Sequence, residues 1–167
     1  MEAPALCREW WHWVRRSPDY LSATGQGRCN GTSDQKFYNP DWYAETHFSL
    51  VSESSIHGST FVSEKIFKPL AFQHPFIVWG TAGTLSYLKQ MGFETFGDVI
   101  DESYDLETDD VKRIEKVTKL LKDLDSLSVK ERQRIHHACL SAVEHNYNHF
   151  FNGGLTEILW AELQGML

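Results

Sequence analysis

Two continuous apolar runs of strand length constrain this chain most. "HFSLVS" (47 to 52) and "PFIVWG" (75 to 80) show no polar alternation, the mark of strands buried on both faces. Between them lie a serine-rich polar loop and "SEKIFKPLAFQ" (63 to 73), whose Ile66, Phe67, Leu70 and Ala71 have helical spacing. "GTLSYLKQMG" (83 to 92) predicts a further helix with Leu85 and Leu88 inside and Gly92 as its stop, and "TFGDVID" (95 to 101) a third, weaker strand. Apolar strands alternating with helices predict an α/β fold: a partial Rossmann-like parallel sheet with flanking helices.

The rest of the chain fits one domain of this kind. At 167 residues, with 41% hydrophobic and 13% aromatic content, it can bury a core of its own and has the composition of an ordered globular protein. Residues 109 to 124 place Val111, Ile114, Val117, Leu121 and Leu124 on one face, against Lys112, Glu115, Lys116, Lys119 and Lys122. Residues 128 to 149 predict one long helix, capped by Ser128, with Ile135, Cys139, Ala142 and Val143 inward. A last short helix follows the Gly153-Gly154 break. The N-terminal part reads differently: a short aromatic helix "CREWWHWVRR" (7 to 16), then a polar, glycine-rich stretch to Pro40. We therefore divide the chain into an N-terminal segment, 1–40, and a Rossmann-like domain, 41–167.

Charge and cysteines exclude several classes. A formal charge of −7 argues against a general nucleic-acid binder, whose affinity rests on Lys and Arg neutralising phosphates. Cys7, Cys29 and Cys139 form no CxxC pair, so neither a disulfide framework nor a zinc knuckle is indicated. No run reaches the roughly 18 apolar residues of a membrane span, and no charged-then-apolar leader opens the sequence, so the expectation is a cytoplasmic protein. His145 and His149 lie four apart on a helix with His136 and His137 before them, but no carboxylate or Cys pair completes a ligand set and no metal is expected. In the acidic stretch "DESYDLETDD" (101 to 110), Asp109 and Asp110 open a helix, where the dipole accounts for them without magnesium.

The polar loop holds the candidate site. In parallel α/β sheets ligands bind at the carboxyl ends of strands, near the start of the following helix. Ser52, Glu53, Ser54 and Ser55 stand where the first strand should end, and Ser63, Glu64 and Lys65 where the next helix should begin. Lys65 can place a cation beside a phosphate, Glu64 can accept hydrogen bonds from paired sugar hydroxyls, and His57 within the loop can contact a phosphate. The same residues also suit helix stability alone, Ser63 as a cap and Glu64 as a first-turn acid paired with Lys68.

"FSLVSES…FVSEKIFKPLAFQHPFIVWG" resembles the donor-binding signature of fucosyltransferases and related GT-B glycosyltransferases, FxxxFENS…YVTEKxxxxLxxGxxPVxxG. Glu53 matches the Glu of FEN, Phe61 to Lys65 match YVTEK, and Pro75 to Val78 with Gly80 match PVxxG. Ser54 stands in place of Asn and Ser63 in place of Thr. The segment with "GFETFGDVIDESYD" also resembles glycosyltransferase-like sequences of phage and marine microbial genomes. The resemblance spans roughly residues 47 to 105 and implies a nucleotide-sugar donor as substrate, a GDP-sugar in the family's usual case, with Glu64 on the ribose and Lys65 on the phosphates. It implies a glycan or other hydroxyl acceptor and no further cofactor. A GT-B enzyme uses two Rossmann-like domains, and about six strands make a full one, whereas three are readable here. The catalytic base is therefore expected on a missing N-terminal domain, and the open sheet edges on such a domain or on a second copy in a homodimer. The alternative is a non-catalytic interaction module that retains the half-fold.

Overall fold

A computed structural model of the chain describes residues 40–165, which puts the aromatic helix expected at 7–16 outside the described residues. Two compact units divide the chain, Met1–Thr46 and His47–Leu167. In the first, Pro40–Glu45 is a short helix, α1, opened by a proline whose fixed φ and missing N–H suit a first helical position.

The second unit is mixed α/β. Strand β1 (Ser49–Ser52) pairs in parallel with β2 (Phe76–Trp79), in a register that sets Val51 beside Val78. Helix α2 (Phe67–Ala71) makes the crossover, and α3 (Thr84–Gln90) follows β2. After a 3-10 turn over Ser103–Leu106 come α4 (Asp110–Ser126), α5 (Val129–Ala138), α6 (Leu140–Phe151) and α7 (Gly154–Gly165). None of the helices among the described residues is long and apolar enough to cross a membrane.

β2 is the buried strand that its apolar run predicts, with Phe76, Ile77 and Val78 all in the core. β1 is not: Val51 is buried, but Leu50 is 47% exposed and Ser52 is open. One apolar face suffices for a strand at the edge of a two-stranded sheet.

The third strand expected at 95–101 is a turn. Glu102 accepts hydrogen bonds from Thr95 Oγ1 (2.6 Å) and Phe96 N (2.7 Å), and the amides of Val99 and Ile100 both donate to Phe96 O. Backbone groups that a ladder would need are thus used locally. On β2, Val78 N donates to the Tyr104 hydroxyl (3.4 Å), so a phenol meets an amide that a third strand would otherwise take. Burial pushes the Tyr104 pKa well up and keeps it protonated.

Two helical readings also change. α4 turns Arg113, Val117 and Leu120 into the core, while Val111, expected inside, is 65% exposed. The long helix expected at 128–149 is broken at Cys139, whose N–H is shared between Ile135 O (3.2 Å) and His136 O (3.1 Å). Its start is as expected, with Ser128 and Glu131 capping each other's amides reciprocally.

α6 holds the chain after α3 through three polar side chains. Buried Asn146 accepts from Glu94 N (2.7 Å) and donates to Glu94 O (2.9 Å). His149 donates to Met91 O (2.7 Å) and His145 to Gly92 O (2.9 Å). The two histidines, with rings stacked 5.9 Å apart, therefore spend their Nε2 protons on backbone carbonyls. Gly92 (φ +84°) ends the α3 region, and a Cβ there would stand 2.7 Å from the His149 ring, so both its backbone and its bareness are required.

Candidate functional site

The polar loop leaves β1 at its carboxyl end and returns at α2. Its first anchor is Glu53, only 5% exposed, whose amide extends the sheet pairing by donating to Trp79 O (2.9 Å). The Glu53 carboxylate accepts from Ser63 N (3.1 Å) and Ser63 Oγ (2.5 Å), closing the loop on itself at its two ends. A bare Gly80 makes room beside it, because a Cβ there would meet Glu53 Cγ at 3.5 Å and Thr84 Oγ1 at 3.1 Å.

The second contact joins Lys65 Nζ to Ser54 Oγ (2.6 Å) across the mouth of the loop. Glu64 lies beside them with its side chain exposed and in no hydrogen bond or ion pair among the described residues. The loop thus brings Glu53, Ser54, Ser63 and Lys65 together and leaves the Glu64 carboxylate toward solvent. His57 is placed elsewhere: its Nδ1 pairs with Asp110 Oδ2 at the start of α4.

The start of the helix differs from the sequence expectation. α2 begins at Phe67, is five residues long and follows a turn in which Ile66 N donates to Ser63 O and Phe67 N to Glu64 O. Lys65 N is taken by Ser63 Oγ (3.3 Å). These amides are occupied, and so short a helix carries little dipole. Ser63 is a loop clasp and turn former here, not the cap of α2.

The acidic stretch serves the scaffold. Asp109 caps α4, accepting from Val111 N and Lys112 N (both 3.0 Å). Buried Asp105 reaches back to α3, accepting from Leu85 N (2.8 Å), Ser86 N (3.1 Å) and Ser86 Oγ (3.1 Å). Asp110 pairs with Arg113 and His57, and those contacts hold its carboxyl below the usual range. Among the described residues, no three His, Cys, Asp or Glu side chains stand where they could hold a metal ion.

Two features lie outside the sequence expectations. Arg113 is buried beneath the loop and hydrogen-bonds three separate segments; its signal was there, since positions 113, 117, 120 and 124 form one helical stripe. Trp79, the last residue of β2, has a buried indole N–H with no hydrogen-bond acceptor among the described residues; no pattern in the sequence marks such an atom.

No protein-family model matches the sequence, and no curated protein or solved structure matches it either.

Proposed function

We propose that the polar loop binds the nucleoside diphosphate of a sugar donor, and that the chain is the donor-binding part of a fucosyltransferase-like GT-B glycosyltransferase with a Rossmann-like sheet. The observation that carries this reading is the pairing of a clasp, buried Glu53 to Ser63, with a partly exposed cation, Lys65 on Ser54, at the carboxyl end of a parallel strand. Ligands of parallel α/β sheets bind at that end. The exposed Glu64 carboxylate supplies an acceptor pair suited to two ribose hydroxyls.

In the transfer itself the bond between the sugar's anomeric carbon and the diphosphate oxygen breaks. The electron pair leaves with the diphosphate, and the acceptor oxygen takes its place on carbon. Lys65 stabilises the growing negative charge on the leaving group. With α2 so short, that stabilisation falls on the ammonium and not on helix amides. The acceptor's proton goes to a base on a partner domain, as the resemblance implies.

Lys65→Ala is accordingly expected to weaken nucleoside diphosphate binding by about 1.5–3 kcal/mol, the scale of a charged hydrogen bond, and to leave nucleoside binding nearly unchanged. Calorimetric titration of both ligands checks this. Equal losses for the two would contradict a phosphate role.

A further inference from the structure

Residues 54–62 make no backbone-to-backbone hydrogen bond among the described residues, so the loop takes its shape from side chains. Glu53 holds its end, Thr81 Oγ1 accepts from Phe61 N (3.3 Å), and His57 pairs with Asp110 on the surface. The middle of the loop is held from beneath, by Arg113.

Arg113 is 2% exposed and spends its donors in several directions at once. Nε donates to Gly80 O (2.9 Å), just past β2, and Nη1 donates to Glu107 O (2.9 Å) after the 3-10 turn. Nη2 donates to Ile56 O in the loop (2.6 Å) and also to Asp110 Oδ1. A planar fork of five N–H donors can serve divergent carbonyls together; the ammonium of a lysine is a point charge that cannot. Asp110 in turn holds both Arg113 and His57, so loop, strand end and α4 meet in one network.

We propose that Arg113 is the positioning residue of the polar loop. Buried beneath the loop, it fixes Ile56 so that Ser54, Glu64 and Lys65 stand preformed, and nucleotide affinity depends on it through the order of the loop. The binding part of this inference rests on the nucleotide reading above; the loop part does not.

Arg113→Lys in the full chain tests it, with backbone 15N order parameters and nucleotide titration as paired readouts. Loop order parameters for residues 55–62 should fall from rigid values, about 0.85, to below about 0.6, while those of Ile77, Val78 and Leu88 stay rigid. Affinity for GDP or UDP should fall about tenfold or more. A loop as rigid as in the wild type would overturn the proposal, and so would loss of order in β2 and α3 equal to that in the loop, which marks a general structural role. A loosened loop with unchanged affinity would overturn the binding part. Should Arg113→Lys fail to fold, Asp110→Asn carries the test from the exposed side of the network: a local fall in loop order supports the anchor and none overturns it. If the wild type binds no nucleotide, the donor reading falls and with it the binding part, whereas the order parameters still decide what holds the loop.

Discussion

Asp105→Ala is expected to lower the unfolding free energy by about 3–4 kcal/mol. Gly83, which precedes α3, has no side chain with which to cap it. Asp105 does so from twenty residues further on, through hydrogen bonds to Leu85 N, Ser86 N and Ser86 Oγ, while its own carbonyl accepts from Gly83 N (2.8 Å). Alanine removes a charged acceptor from a helix start and leaves the buried Leu85 amide without a partner, at about 1–3 kcal/mol, with a smaller loss at the more exposed Ser86. Asp105→Asn keeps one carboxyl-like oxygen and should lose roughly half as much. Urea unfolding measures both; a loss under about 1 kcal/mol for the alanine variant would show that water or a local shift replaces the cap.

The second large effect is on pH dependence. His136 packs its ring against those of His47 (5.8 Å between centroids, nearly perpendicular) and His74 (6.1 Å), with His137 next along the helix. Burial first, then the neighbouring imidazoles, lower its pKa to about 4. An unfolded chain protonates this residue near pH 6.5. Between pH 6.5 and 4 the unfolded state therefore binds the proton and the folded state does not, so stability is full above about 6.5 and is lost as pH falls toward 4. With a discount for the partial exposure of the ring, the loss is about 2–3 kcal/mol. Urea unfolding at pH 7 and pH 4.5 reads it, and His136→Gln should flatten the dependence by that amount. An identical pH slope in wild type and variant would contradict the assignment.

What the sequence made legible, and what it did not, follows from the physics of each position. β2 was readable because a run of four apolar residues before a glycine has few other uses, and the Ser128 cap because its partner Glu131 lies three residues away. Local chemistry reads well. The third strand failed because Glu102 captures Thr95 and Phe96, an event decided by a side chain beyond the strand-like run. In the sequence Asp105 is one more acid in an acidic stretch, since its role depends on a helix twenty residues earlier. The inward face of α4 differs because a basic residue is ordinarily placed in solvent: Arg113 shares a helical stripe with positions 117, 120 and 124, but the distant carbonyls that satisfy its guanidinium are not visible in the sequence. The candidate site divides the same way. The residue types of the loop were visible, but the clasp of Glu53 on Ser63, the diversion of His57 to Asp110 and the late start of α2 are tertiary facts.

Calorimetric titration of the chain with GDP, UDP and ADP, repeated on Glu64→Ala, decides whether this loop takes a nucleoside diphosphate as proposed. At least one diphosphate should bind with a dissociation constant below millimolar, and the substitution should weaken it by removing the acceptor for the ribose hydroxyls. No binding by any of the three, with Glu64→Ala indistinguishable from wild type, would exclude a nucleotide site in the loop.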